Sequence, residues 1–408
     1  MAGNEIKSEL QVYGYRWIVL LAFGLINVVL QIHWLAFAPI AQAAQSFYGV
    51  SALQIDLFSI VYLAIFIIFC FPSIYIIDHY GLRTSIGIAA VLVGVCGLTK
   101  GLFADNYTIV VISQIGLAIS QPLVINAGTT VAVRWFPITE RATATGVAIL
   151  TQFVGMILAM VLTPQLIDTG KAGVYDISGM LMIYGIISVI AAVIVLAFFR
   201  DKPPTSPSIE EEDRYTILEG IRHMLKNRDM RILLIIFFMA LGLFNAVTTC
   251  IDQICKIKGL NFDQTGLIGG MMLISGVLGA GIFPVISDKI RKRKAVFAIL
   301  VALSIPGLIG LTVVSSYSLM LIFAFIFGFF FLGSSPIAFQ YSAEINAPVP
   351  ESASQGLMTL VGQMSGILFV IGMNSVGMMP GMYAFIGLSV LCLILALLLK
   401  ESKLIQTG

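Results

Sequence analysis

Long apolar runs follow one another almost without interruption from residue 16 to residue 400. About 20 such residues, rising 1.5 Å each in a helix, match the roughly 30 Å hydrocarbon core of a bilayer. Within that core each backbone N–H and C=O needs a partner inside the protein, so helices are the expected solution. Splitting the runs at polar or turn-rich breaks gives spans near 16–44, 52–77, 84–103, 105–134, 140–167 and 177–199. A second set follows near 231–257, 263–287, 295–314, 316–344, 351–378 and 380–400. The fold class predicted is an all-α membrane protein of twelve transmembrane helices. Composition excludes a soluble alternative: 59% of residues are hydrophobic and 11% charged, against about 25% charged in soluble domains.

One extended polar stretch divides the spans. It predicts an N-terminal six-helix bundle (1–199), a linker (200–229) and a C-terminal six-helix bundle (230–408). The linker opens with Asp201, Lys202, Pro203 and Pro204 and passes through Glu210 to Asp213. From Tyr215 to Lys226 its spacing is helical and amphipathic, so a helix lying against the membrane is expected there. If the amino terminus is cytoplasmic, all of the 23 basic residues except Lys100, Lys171, Lys256 and Lys258 fall on the cytoplasmic side. The positive-inside rule then places both termini in the cytoplasm of a cell-membrane protein. Residues 1–10 are polar and no small-residue cleavage site follows, so the first span is expected to be retained. Cysteine is present five times, an odd count without a CxxC spacing, and the thiols are read as buried and structural. A net charge of +2 gives no basis for nucleic-acid binding. The partners expected are the bilayer and a small-molecule substrate of a monomeric protein without cofactor. No nucleotide motif and no paired carboxylates or nucleophile constellation point to an enzyme.

The halves repeat. Phe71, Pro72 and Asp78 recur as Phe283, Pro284 and Asp288, the aspartates 210 residues apart. Glu140, Ala142, Gln152 and Gly155 recur as Glu351, Ala353, Gln363 and Gly366, all 211 residues on. Two pseudo-symmetric bundles related by a twofold axis along the membrane normal follow.

Polar side chains inside apolar spans mark the candidate substrate site, because in hydrocarbon they are costly unless they face a polar interior. Asn27, Gln31, His33 and Trp34 occupy nearly two turns of span one. Asn27, Gln31 and Trp34 share one helix face at spacings of four and three. The Trp34 ring can attract an ammonium group by up to roughly 2 kcal/mol when water is excluded. Gln152 and Gln363 lie about 18 Å into spans five and eleven, near the midplane. Asn245 has a comparable depth in span seven, and Gln121 and Asn126 bracket Pro122 in span four. His33 lacks a second midplane histidine, so it reads as a hydrogen-bonding lining residue and not as a metal or haem ligand. Carriers of carboxylates or phosphates usually need fixed positive charge in the cavity, and no arginine stands at midplane, so neutral or cationic substrates are favoured. Asp56 and Asp252 are candidate coupling carboxylates, Asp252 with Lys256 one turn away as its expected salt-bridge partner. Glu344, at the linker end of span ten, is expected in a gate or loop contact.

The twelve spans, the 6+6 repeat, the central linker and the Asp-x-x-Gly-x-Arg loop at Asp78, Gly81 and Arg83 resemble the major facilitator superfamily. In the second half Asp288 keeps its place while Ile290 and Arg291 stand where the first half has Tyr80 and Gly81. More narrowly, several stretches resemble the feline leukaemia virus subgroup C receptor-related transporters. They are Trp34, the run Phe47 to Val50, Asp56, Val61 and Tyr62, Phe71 and Pro72, Trp135 and Phe136, Gln152, the run Ala343 to Ile345, and Gln363. The resemblance implies an alternating-access facilitator of small polar organic molecules. Animal members are associated with choline and ethanolamine, some earlier with haem, and a paralogous branch with pyridoxine. In the choline carriers an aromatic cage uses the tryptophan matching Trp34 and a tyrosine in span seven, where this chain has Asn245. The resemblance also implies that Asp78 and Arg83 form a conformational latch meeting span eleven, with Asp288 its counterpart. Proton-coupled transport, export of another metabolite and a non-translocating receptor remain the alternatives.

Overall fold

The computed structural model describes residues 12–169, 175–204, 217–347, 349 and 351–401. Twelve helices long and apolar enough to cross a membrane run through them. Spans one to six are Arg16–Tyr48, Ala52–Tyr80, Leu82–Leu102, Tyr107–Trp135, Thr143–Leu166 and Ser178–Phe198. Spans seven to twelve are Arg228–Thr249, Phe262–Ile290, Arg293–Val313, Tyr317–Asn346, Ala353–Val376 and Met378–Leu398. The linker lies on the face from which span one starts, called here the linker face; the opposite one is the far face.

The repeat is visible in the chain geometry. Span two starts with a capping box in which Ser51 and Gln54 satisfy each other's backbone N–H groups, and span eight starts with the same box made by Asn261 and Gln264. Both pairs are 210 residues apart. Such boxes quench two of the orphan donors of a helix start. At the other end of these spans, Gly81 has φ +85° and Arg291, also 210 residues later, has φ +56°. A left-handed backbone is cheap for glycine and costs an arginine about 1 kcal/mol. The two ends share only a positive φ: Arg291 is left-handed at ψ +36°, whereas Gly81 stands at ψ +167°, so the second half closes its helix with a different turn.

Close packing repeats too. A Cβ on Gly155 would come within 2.8 Å of Gln31 Cβ, so span five lies directly on span one. Its counterpart Gly366 would place a Cβ 2.7 Å from Asn245 Nδ2, so span eleven lies on span seven. Small residues let helix backbones approach in this way in lipid. Between the halves, Gly266 and Gly269 of span eight receive Met160 of span five, and Gly366 of span eleven meets Leu63 of span two. These contacts fall in the far-face half of each helix.

Three spans are broken. Span one stops being α-helical at Leu35, makes a short 3-10 turn at Ala38–Ile40 and resumes as Ala41–Tyr48. Span four breaks between Ile125 and Gly128, one turn after Pro122. Span seven ends at Thr249 and a separate short helix, Ile251–Ile257, follows; the sequence reading had run both together as 231–257. Hydropathy does not register a one-residue break between apolar turns. An antiparallel pair of two-residue strands, Asp168–Thr169 and Tyr175–Asp176, was also unforeseen, being too short to show alternation.

The linker helix spans Ile217–Lys226. It docks on protein, whereas the sequence reading laid it on the membrane. Met224 is fully buried in a cluster with Met230, Leu233 and Met358 of spans seven and eleven. Met224 and the partly buried Ile221 face the C-terminal bundle, while Leu225 stays exposed. Tyr215, the acidic run Glu210 to Asp213, and Lys7, Lys171 and Lys403 of the topology argument lie outside the described residues.

Candidate functional site

The break in span one sits where the candidate residues do. Past Leu35 the helix no longer supplies donors for its last carbonyls. Side chains take them over: Gln114 Nε2 of span four donates to the carbonyl of His33 at 2.9 Å and Ser59 Oγ of span two donates to that of Trp34 at 3.2 Å. The same Gln114 nitrogen reaches the Phe58 carbonyl at 3.0 Å. Its oxygen accepts from Lys100 Nζ at 2.6 Å. Lys100 is fully buried, its ammonium 4.7 Å from the Phe37 ring centroid and 5.9 Å from that of Phe58. Those two rings are stacked at 4.2 Å. The sequence reading places Lys100 within span three, 84–103, and uses it only as one of four basic residues off the cytoplasmic side. The pairing amide on the next span was the available signal.

Several buried polar atoms of the candidate residues have no hydrogen-bond partner among the described residues: Asn27 Oδ1, Gln31 Oε1, Trp34 Nε1, Gln121 Oε1 and Gln363 Oε1. Leaving such groups dry and unpaired costs about 1–3 kcal/mol each. They sit on spans one, four and eleven. Gln152 is half-buried, as is the side chain of Gln363, while Asn27, Gln31 and Gln121 are nearly inaccessible. Gly24 packs on Thr151 and Gly155 on Val28 and Gln31, so spans one and five run in parallel register with Gln152 level with the turn before Val28. Asn245 is buried, and its amide donates to the Gly362 carbonyl at 3.5 Å.

Other candidates go elsewhere. His33 turns into the N-terminal bundle, its Nε2 2.7 Å from Ser188 Oγ and its ring edge-on to Tyr184. It therefore faces span six and not the residues grouped with it in sequence, because only Asn27, Gln31 and Trp34 share the helix face. Asn126 is tied to span two, donating to Ser73 Oγ at 2.8 Å and to the Cys70 carbonyl at 3.2 Å. That use is helix joining. A separate cavity of about 50 Å³ lies in the C-terminal bundle, lined by Phe237, Phe297, Phe331 and Cys392 among others, away from the polar group.

On the linker face, Asp78 and Arg83 are exposed. The start of span three is held by the linker instead: Asp201 accepts from the Arg83 backbone N–H at 3.2 Å and from Arg134 at 3.1 Å, and presses against Gly81. Glu344 pairs with Arg293 of span nine at 3.0 Å, and Asp288 pairs with the same arginine. Asp201 and Arg293 were not singled out in sequence, since their partners are supplied by the fold.

On the far face, Asp252 accepts from the Gln42 backbone N–H at 2.7 Å and from its side chain at 3.2 Å. No salt bridge joins it to Lys256 among the described residues, contrary to the spacing argument. Asp56 accepts from Gln253 at 2.9 Å, from Asn374 at 2.7 Å and from the Cys250 thiol at 3.5 Å.

The sequence profile of the Major Facilitator Superfamily matches residues 13–373. The chain belongs to the major facilitator superfamily. As a superfamily member it is a membrane transporter and not an enzyme. Solute carrier family 49 member A3 of Danio rerio is 29% identical over 382 residues, covering 90% of this chain and 80% of the relative. The choline/ethanolamine transporter FLVCR2 of Homo sapiens is 27% identical over 402 residues, covering 93% of this chain and 76% of that protein. Among solved structures, a bacterial homologue of the human lysosomal transporter Spinster in an inward-facing, unoccupied conformation aligns with TM-score 0.74 at 16% identity, covering 95% of this chain and 97% of the other. The D-xylose–proton symporter aligns with TM-score 0.70 at 14% identity, covering 95% and 99%. These likenesses establish the superfamily fold for both six-helix bundles.

Proposed function

We propose that this superfamily transporter carries a small neutral or cationic organic solute, of amine-like or vitamin-like chemistry, as a facilitator. The observation that carries the reading is the set of unpartnered amide oxygens of Asn27, Gln31, Gln121 and Gln363. Each is an acceptor waiting for a donor. A primary ammonium or a hydroxyl supplies such donors, whereas an ionised carboxylate offers only acceptors. The name of the human relative, a choline/ethanolamine transporter, supports the same class. Gln152 and Asn245 complete the proposed lining, and Trp34 offers its ring face.

In this reading the two bundles rock about the site, with the linker face cytoplasmic in a cell-membrane protein that works as a monomer. The present far-face closure corresponds to a state loaded or emptied from the linker face. Asp78, Gly81, Arg83, Asp288 and Glu344 serve the alternate closure.

Uptake of radiolabelled ethanolamine, choline, pyridoxine and haem into proteoliposomes tests the class. Saturable flux of an amine or vitamin is expected; flux of haem or an organic anion alone would overturn the reading, and binding without flux would make the protein a receptor. With a transported amine, Trp34→Ala is expected to weaken apparent affinity by roughly tenfold or more, the loss of up to about 2 kcal/mol of ring attraction. Trp34→Phe should lose less. Equal losses in both variants would remove the ring face from the site.

A further inference from the structure

Two carboxylates close the far face, Asp252 at 1% and Asp56 at 2% exposure, and neither has a salt bridge among the described residues. Their hydrogen bonds run between the two halves. Asp252 of the C-terminal half holds Gln42 of the N-terminal half; Asp56 of the N-terminal half holds Gln253 and Asn374 of the other. Gln42 and Asp252 are 210 residues apart, the spacing of the repeat itself. Residues equivalent under a twofold operation touch only where the axis passes between them. The Gln42–Asp252 contact therefore sits on the pseudo-twofold axis, over the middle of the molecule. No rocking motion can open the far face without parting it.

Burial pushes the Asp252 carboxyl up to about 7, with the Asp56 charge adding to the rise, while the Gln42 hydrogen bonds and Lys256 oppose it. From the Ala41–Tyr48 helix Asp252 faces the neutral Gln42, and from span two Asp56; on its own helix it faces Lys256 and Cys255. Spans seven, eight and twelve also pack on this helix and bring no further charged group to bear on it among the described residues. In an open far face the same carboxyl stands in water, where an aspartate titrates at about 4. The closed state thus binds the proton more tightly. By linkage, acid stabilises closure below about pH 7, and closure loses that support as pH rises through the closed-state value.

We propose that the Gln42–Asp252 contact is a proton-operated lock: a proton taken up from the far side holds that face shut, and its loss lets the face open. The proton enters and leaves on the same side, so the lock regulates transport without moving a proton across. It rests on the alternating-access reading but not on any substrate.

The test therefore reads conformation without substrate. Spin labels at Phe103→Cys and Ser316→Cys, both exposed at far-face ends of spans three and ten, report the distance across that face in nanodiscs by pulsed electron resonance. The ratio of far-face-open to closed protein is expected to rise about tenfold from pH 6 to pH 8. Asp252→Asn, which keeps a permanently neutral side chain, should lose most of this tenfold change, leaving only the smaller share that Asp56 can contribute. Gln42→Ala, which retains the carboxylate and the backbone N–H, should open more readily while keeping the pH response; this variant stands in if Asp252→Asn does not fold. A ratio unchanged between pH 6 and pH 8, including a face closed throughout, overturns the lock. So does a pH response that survives at its full tenfold size in Asp252→Asn. Loss of solute flux with the pH response intact would instead count against the substrate reading alone.

Discussion

Gln114→Leu is expected to lower the thermal midpoint of the detergent-solubilised protein by about 5 °C or more, a loss of roughly 3 kcal/mol or above. The single amide holds four things together: the freed carbonyl of span one at His33, the Phe58 carbonyl of span two, its own span four, and the Lys100 ammonium of span three. Leucine fills similar volume but leaves the His33 carbonyl without a donor, takes from the Phe58 carbonyl its second one, and strips one buried cation of its acceptor. The cation dominates, because a desolvated charge stripped of its partner costs more than a neutral group. Lys100→Met combined with Gln114→Leu should recover part of the loss, since the stranded charge is gone while the His33 carbonyl stays unpaired. A fluorescence melt separates the cases. If the single variant melts with wild type, the cluster carries none of the stability assigned to it.

Gly155→Val is expected to reduce solute uptake at least tenfold. Its Cβ would stand 2.8 Å from Gln31 Cβ and 2.9 Å from Val28 Cα, the second of these being backbone that no rotamer change can move. Span five would have to back away from span one, carrying Gln152 out of register with Asn27. Overpacking of this kind typically costs about 1–3 kcal/mol and displaces the helix as well. Gly146→Val on the same span is the control, because nothing lies within 4 Å of its Cβ position. Uptake assays of both variants, normalised to protein in the vesicles, decide. Equal activity in the two would mean that the span one to span five contact does not position the site.

How far the sequence could be read follows from which forces act locally. Apolar length marks the spans and recurring residues mark their repeat, and the repeat is strong enough that Ser51 and Asn261 cap their helices in the same way. The shared face of Asn27, Gln31 and Trp34 was legible because helical spacing is a local property. The partners were not. Asp252 was matched to Lys256 one turn away, whereas the fold gives it Gln42 from the other half. Lys100 enters the sequence reading only as a basic residue off the cytoplasmic side; its partner is an amide on the next span, which spacing within one helix does not reveal. His33 was grouped with its neighbours by adjacency, although one residue along a helix turns a side chain by about 100°.

Lys100 also constrains the order in which the chain enters the bilayer. Span three alone would present an ammonium to lipid near its far end, with neither Gln114 nor the two phenylalanine rings beside it. Insertion of a lysine within a helix is disfavoured by up to about 3 kcal/mol. Span four follows after a loop of only four residues, 103–106. The two helices are best delivered to the membrane as a preassembled hairpin that docks on spans one and two. The lysine that sequence reading assigns to topology is, by this route, a checkpoint in biogenesis, satisfied only once the first four helices have found one another.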